Sequence, residues 1–317
     1  MEGRGSEKDM QNLGAEVMRD MRDLMLEGGI PDNHRHLVWP FLLHVSAFDS
    51  NRNSGLFEKL ASYETGYEDK IDKDILRTHP SHELFSGGAE SDGVKWLARI
   101  LRAYASWDPK LGYTQGMAFL AATLLIFIRE EETCFWCLVQ LMSTFNMREL
   151  FTCGMAGLQV RIYQFSHLLR DVDPDLFHHF AHQMVDPETY LPRWALSLFT
   201  ATPMNQDLVF RIWDLFFLHG WSFFFQVALQ IVHQGRKFLL SSTSDTILKP
   251  LTDVAPLLER IEPLEFLQRS MNIPVSDQVL QNLRQSYLRQ HDRQHAPDAQ
   301  FSPMLPPLPS SPSGTQN

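Results

Sequence analysis

The sequence predicts an all-α protein built from many helices, with no significant β-sheet. Apolar residues recur at helical spacing along the 317-residue chain, as in Val94, Leu97, Leu101 and Tyr104. No segment alternates clearly between apolar and polar residues, and none is rich in Val, Ile and Thr between turn signals. No repeat of fixed length stands out, which argues against a solenoid.

The helical pattern begins near the N-terminus with an amphipathic helix over Leu13–Leu26, which Gly28-Gly29 and Pro31 should end. The segment Met117–Ile128 is apolar on all sides, which predicts a central buried helix. Further helical segments are predicted at residues 35–45, 56–63, 71–78, 94–104, 133–145, 160–169, 173–184, 223–240 and 257–267.

The composition is that of a globular protein, with 44% hydrophobic and 21% charged residues. A net charge of -10 argues against nucleic acid as a partner and against general attraction to anionic membranes.

Three cysteines cannot form a disulfide framework. The N-terminus lacks the apolar core of a signal peptide. The longest uninterrupted apolar run, Met117–Ile128, is about half of a membrane span, so we expect a cytoplasmic protein without a transmembrane segment.

One short segment places a cation at a helix end. Ile71, Asp74 and Arg77 recur every third residue and so share one face of a helix. Ile71 would anchor that face in the core, and Asp74 would hold the Arg77 guanidinium. Pro80 disfavours helical geometry in the residue before it, so the helix should end near Thr78, with Arg77 in the last turn. Taken alone, this is an ordinary surface helix with one ion pair.

A second segment, Gly112-Tyr113-Thr114-Gln115-Gly116, sets a neutral amide between two glycines just before the apolar run. Ile-x-x-Asp-x-x-Arg-Thr at 71–78 and Tyr-x-Gln-Gly-Met at 113–117 resemble, as a pair, the two signature motifs of the TBC-domain family. Members of that family are GTPase-activating proteins for Rab GTPases. The chain departs from the family pattern at Thr114, where many members have Cys. The neighbouring residues of the motif still match the family.

Two further segments carry the same resemblance. Gly29-Ile30-Pro31, Arg35 and Trp39 are similar to the opening of a TBC domain. The run Arg211-Ile212-Trp213-Asp214 is similar to a later motif of the family. We interpret that run as structural, with Arg211 and Asp214 forming an i,i+3 pair while Ile212 and Trp213 face inward.

The resemblance implies a protein that stimulates GTP hydrolysis by a GTP-bound Rab-family GTPase and so regulates vesicle trafficking, without being an enzyme itself. Arg77 would enter the partner's nucleotide pocket, and Gln115 would orient the attacking water. Asp74 would orient Arg77, and Tyr113 would pack beside both. No cofactor of its own is expected, since GTP and Mg²⁺ belong to the partner. Supporting roles are assigned to Ile71, Thr78 and Gly116.

Two alternatives remain from other classes. One is a TBC-fold effector or scaffold that binds active small GTPases without speeding hydrolysis, and the other is a purely structural helical adaptor. The side-chain chemistry favours the activator. A guanidinium stays charged and can bridge two phosphate oxygens. A neutral amide can orient water without titrating, because it carries both a donor and an acceptor.

The sequence divides into four parts. Residues 1–27 form an N-terminal flank with one amphipathic helix, 28–270 the TBC Rab-GAP domain, and 271–290 a C-terminal helical flank. Residues 291–317 form a Pro-rich tail that is expected to be disordered. Two overlapping Pro-x-x-Pro spacings in this tail are the spacing of a weak SH3-domain ligand, which is the alternative to a plain flexible tail.

The expected location is the cytoplasm, with peripheral attachment to endomembranes through the Rab partner.

Two other side-chain patterns have the spacing of known kinds of site. Cys134 and Cys137 have the spacing of a redox dithiol, but their apolar neighbours favour two small core residues. His178 and His182 lie one turn apart, as in a metal pair, but no obvious third ligand follows. The sequence carries no nucleotide-binding motif of its own, so its chemistry should be completed on another protein.

Overall fold

The computed structural model describes residues 20–45 and 55–291, and in these ranges every regular element is helical, which confirms the predicted fold class. The start of the expected N-terminal helix and the Pro-rich tail from residue 292 lie outside the described residues. The helices are α1 (residues 20–27), α2 (Asp32–Leu42), α3 (Leu56–Ala61), α4 (Glu68–Ile75), α5 (Asp92–Trp107), α6 (Met117–Ile128), α7 (Glu131–Thr144), α8 (Arg148–Phe151), α9 (Ala156–Val172), α10 (Pro174–His182), α11 (Leu191–Ser197), α12 (Gln206–Gln234), α13 (Arg236–Leu240), α14 (Ser244–Thr252), α15 (Ala255–Leu258), α16 (Pro263–Met271) and α17 (Asp277–His291).

Two groups of helices share one hydrophobic core. In the first group, α5 packs against α3, α4, α6 and α7. In the second, α12 packs against α9, α13, α15 and α16, while α17 lies on α9. Helices α2 and α11 connect the groups, because both contact α6 of the first group and one long helix of the second. Helix α6 is buried along nearly its whole length, as its uniformly apolar sequence predicts.

The longest helix is α12, which spans 29 residues. By length and composition alone it is apolar enough to cross a membrane, but 72% of its apolar window is buried inside the protein. Gly220 interrupts it with φ 59° and ψ -142°, a conformation open essentially only to glycine. Ile212 and Trp213 are buried as predicted. The burial identifies α12 as a core helix of the fold.

A buried ion pair joins the opening of the domain to α12. Both carboxylate oxygens of Asp214 accept from Arg35, at 3.0 Å from Nε and 2.9 Å from Nη2. The Trp39 indole also donates to Asp214, at 2.7 Å, as does the backbone N–H of Ile30, at 3.2 Å. The predicted pairing of Asp214 with Arg211 is therefore wrong. Asp214 points into the core, where the Arg35 guanidinium balances its charge and the other donors satisfy its oxygens. Arg211 instead donates to the backbone carbonyl of Leu26 at the end of α1, at 2.7 Å.

Candidate functional site

Helix α4 presents Arg77 beyond its C-terminal end. Ile71 is fully buried and fixes the inner face of the helix, while Asp74 is nearly buried on the same side. The helix ends at Ile75, so the prediction that it would end near Thr78 with Arg77 in its last turn is wrong, and Arg77 lies in the turn that follows the helix. The Arg77 side chain is 54% exposed, which leaves its guanidinium accessible to another molecule.

Asp74 connects the arginine segment with the glutamine segment. Its Oδ1 accepts from Nη2 of Arg77 at 2.5 Å, and its Oδ2 accepts from the hydroxyl of Tyr113 at 2.8 Å. Burial, reinforced by the carboxylate, raises the pKa of Tyr113, so the hydroxyl stays a donor. Thr78 is buried, and its hydroxyl donates to the backbone carbonyl of Asp74 at 2.7 Å. One carboxylate therefore orients Arg77 and holds the other motif.

The glutamine loop, residues 112–116, is shaped by its two glycines. Gly112 has φ 63°, and a Cβ placed on it would lie 2.4 Å from the ring of Tyr67, so only glycine fits. Gly116 has φ 105° and precedes the first residue of α6. Gln115 between them is exposed, and its side chain makes no hydrogen bond within residues 20–45 and 55–291. Its amide is available to a partner molecule or to water.

The structure thus presents a cation and a neutral amide on two segments joined through buried side chains. A guanidinium can bridge two phosphate oxygens, and an amide can accept from and donate to one water molecule. The polar groups behind them, Asp74 and the Tyr113 hydroxyl, are satisfied by each other. The arrangement suits a site that acts on a phosphate group carried by another molecule.

A comparison with known protein families identifies the domain. Residues 32–240 match the family model RabGAP-TBC, the Rab-GTPase-TBC domain. The chain belongs to this family. The match covers well over half of the sequence and confirms the resemblance that the two short motifs predicted.

Curated relatives share the domain. The chain is 35% identical over 229 residues to Rab GTPase-activating protein tbc-11 of Caenorhabditis elegans, which covers 72% of this chain and 24% of that protein. It is 31% identical over 225 residues to GTPase-activating protein GYP5 of Saccharomyces cerevisiae, covering 71% of this chain and 24% of that protein. The aligned part of this TBC chain thus spans about a quarter of each of these relatives.

Solved structures share the fold. The Chlamydomonas flagellar RabGAP TBC domain superposes with a TM-score of 0.68 at 20% identity, covering 84% of this chain and 91% of that one. The Ypt/Rab-GAP domain of Gyp1p superposes with a TM-score of 0.66 at 19% identity, covering 85% and 93%. At such identities the likeness establishes the all-helical TBC fold.

The sequence analysis missed two residues near the site of this TBC chain, Lys70 and His79. Lys70 donates to the backbone carbonyl of Tyr113 at 3.3 Å, across 43 positions of sequence. His79 has a left-handed backbone with φ 47°, and its ring packs edge-on against Phe119 of α6 with the ring centroids 5.7 Å apart. Burial lowers the pKa of His79 to about 4, with His82 adding to the effect. Local spacing carries no signal for these long-range contacts.

The rival patterns take structural positions in the TBC fold. Cys134 and Cys137 are buried in α7, where desolvation raises both pKa values and so disfavours the reactive thiolate. Asp173 caps α10, accepting from the N–H of Leu176 at 3.1 Å, and pairs with Arg236 at 2.7 Å. Across the described ranges, no group of three or more His, Cys, Asp or Glu residues is placed to hold a metal ion.

Proposed function

We propose that this chain is a GTPase-activating protein for a Rab-family GTPase in its GTP-bound form. The observation that carries the proposal is the shared carboxylate of Asp74, which contacts both Arg77 and Tyr113 and so connects the two exposed side chains suited to GTP hydrolysis. Family membership and relatives named as GTPase-activating proteins support the same activity.

Arg77 is the proposed arginine finger. Phosphoryl transfer places growing negative charge on the transferred group and the leaving oxygen, and a guanidinium inserted in trans stabilises that charge. An arginine finger accelerates hydrolysis by about a thousandfold to a hundred-thousandfold. Asp74 holds one terminal nitrogen of Arg77 and leaves the rest of the guanidinium for the phosphate oxygens. The nucleotide and its Mg²⁺ are supplied by the partner.

Gln115 is the proposed second finger, which orients the attacking water. Many GTPases use a glutamine of their own for this task. The buried Tyr113 hydroxyl and the ammonium of Lys70 hold the backbone two residues before Gln115, so its amide starts from a constrained position. Acting on a membrane-bound Rab, the protein would work in the cytoplasm at endomembrane surfaces and regulate vesicle trafficking.

Phosphate release from a panel of GTP-loaded Rab proteins tests the proposal. Arg77→Lys should abolish nearly all acceleration while the melting temperature stays unchanged, because lysine lacks the planar, bidentate donor pattern. Arg129→Lys is the matched control, since Arg129 is 49% exposed and also paired with one carboxylate, that of Glu83. A folded Arg77→Lys protein that still accelerates like the parent would refute the finger role. Binding to GTP-loaded Rab without acceleration by the parent would favour the effector alternative.

The role of Gln115 is tested by crossing two variants. Gln115→Ala should reduce acceleration at least about tenfold, or roughly 1.4 kcal/mol of transition-state stabilisation. A Rab protein lacking its own glutamine should still be stimulated by the parent chain. Gln268→Ala, at an exposed glutamine of α16, serves as the control. Full activity of Gln115→Ala on the normal Rab, with no activity of either protein on the altered Rab, would leave Arg77 as the only finger.

A further inference from the structure

The short helix α8 forms the wall behind the glutamine loop. A Cβ placed on Gly116 would lie 3.4 Å from Cε1 of Phe151, the last residue of α8, and Phe151 is buried. At the other end of the loop, Arg148 of α8 donates to both carboxylate oxygens of Asp108, at 2.5 and 3.1 Å. The backbone carbonyl of Asp108 accepts from the N–H of Gly112 at 2.8 Å. Helix α8 therefore lies against Gly116 directly, and it reaches the start of the loop indirectly, through Asp108 and the backbone hydrogen bond of Asp108 with Gly112.

A helix of four residues cannot keep its position through its own hydrogen bonds, so α8 depends on its neighbours. One of them is α9, which approaches so closely that a Cβ on Gly157 would lie 2.5 Å from Cβ of Glu149. The other is α17. Arg284 of α17 forms two parallel hydrogen bonds with Glu149, from Nη1 to Oε2 at 2.8 Å and from Nη2 to Oε1 at 3.2 Å.

Helix α17 is itself anchored to the domain. The Gln164 amide of α9 donates to the backbone carbonyl of Leu280 at 2.7 Å in a buried position, and the rings of Tyr163 and Tyr287 pack edge-on 5.4 Å apart. The helix begins at Asp277, well beyond the family match, which ends at residue 240. It also lies beyond residue 270, where the sequence analysis placed the end of the domain.

We propose that α17 is a positioning element for the glutamine finger, acting through the Arg284–Glu149 pair on α8 and through α8 on the loop of Gln115. The proposal rests on the proposed GTPase-activating function. Neither Arg284 nor Glu149 touches the reacting groups. Loosening α8 displaces the Gln115 amide, and small displacements of a catalytic group are costly to the rate. The arginine finger keeps its own support, because Asp74 on α4 still holds Arg77.

The kinetic test uses Arg284→Gln in the full chain, with Arg269→Gln as the matched control. Arg269 also pairs with one glutamate, Glu265, but within α16 and at an exposed position away from α8. We expect Arg284→Gln to lower kcat about threefold to tenfold with little change in KM. In a Gln115→Ala background the same substitution should have almost no effect, because the group it positions is gone. An equal loss in both backgrounds, or no loss in the parent background, would overturn the proposal. Glu149→Gln removes the same pair from the other side and should behave identically.

A second measurement does not depend on GTPase activation. Amide hydrogen exchange at residues 112–119 should become faster in Arg284→Gln, while exchange in α4 should stay as in the parent. The double variant Glu149→Arg with Arg284→Glu reverses the pair and should restore slow exchange. Unchanged exchange in the glutamine loop of Arg284→Gln would overturn the proposal. If the parent chain stimulated no Rab protein, the proposed function would fail, whereas this measurement would still decide the positioning role.

Discussion

Replacing Tyr113 with phenylalanine tests whether the Asp74 carboxylate connects the arginine and glutamine segments, and it does so by removing a single hydroxyl. Tyr113→Phe keeps the ring, which is buried, and removes only the hydroxyl that donates to Oδ2 of Asp74 at 2.8 Å. The carboxylate then keeps Arg77 at Oδ1 and loses its buried donor at Oδ2. Because Asp74 is nearly inaccessible to solvent, bulk water cannot readily replace that donor.

The cost follows from the charge and burial of the acceptor. A hydrogen bond to a charged group contributes roughly 1.5 to 3 kcal/mol, and leaving a buried acceptor unsatisfied costs a similar amount. We therefore expect the free energy of unfolding to fall by about 2 kcal/mol. Stimulated GTP hydrolysis should fall about tenfold, because Asp74 and the glutamine loop lose their common attachment.

Urea unfolding and single-turnover hydrolysis measure the two effects. Tyr163→Phe is the control, since the Tyr163 ring packs on Tyr287 while its hydroxyl makes no hydrogen bond within the described part of the chain. The control should change the unfolding free energy by no more than about 0.5 kcal/mol. If Tyr113→Phe were as stable as this control and fully active, the reasoning from Asp74 would be refuted.

Three further predictions concern residues around the site and in the core. Asp214→Asn should lower the free energy of unfolding by about 3 kcal/mol in a denaturant titration, because it removes the buried carboxylate that pairs with Arg35 and leaves that buried guanidinium only the exposed carboxylate of Asp32. His79→Phe should weaken the acid sensitivity of the fold. The pKa of His79 is about 4 in the folded chain against 6.5 unperturbed, so its contribution is complete above about pH 6.5 and is lost as the pH falls toward 4. Parent and variant should differ by up to about 3 kcal/mol over that range of pH in thermal or urea unfolding. Leu76→Asp should raise KM for the Rab protein about tenfold with kcat nearly unchanged, because Leu76 is 53% exposed beside Arg77 and would contact the partner.

Each of these predictions has an outcome that contradicts it. A stable Asp214→Asn protein would mean that the exposed Asp32 carboxylate alone compensates the Arg35 charge. Parallel pH profiles for His79→Phe and the parent would mean that another group carries the acid sensitivity. An unchanged KM in Leu76→Asp would place the partner's surface away from the turn that bears Arg77.

Local information in the sequence was enough for the fold class and for the contact between Asp74 and Arg77. Helical spacing of apolar residues predicts helices because the α-helix repeats every 3.6 residues wherever it occurs. The uniformly apolar Met117–Ile128 segment is buried for the same reason, since none of its faces suits water. The contact between Asp74 and Arg77 follows from their i,i+3 spacing. The pair of short motifs was also sufficient to predict the family.

The tertiary structure decided which of several possible partners each buried polar group takes. Asp214 could pair with Arg211 by local spacing, yet it pairs with Arg35, 179 positions away, because both charges leave water together and satisfy each other. The bond from Tyr113 to Asp74 spans 39 positions, and the one from Arg284 to Glu149 spans 135. The periodicity of a segment determines which face is apolar, but the groups that meet that face are set by how the other helices pack against it.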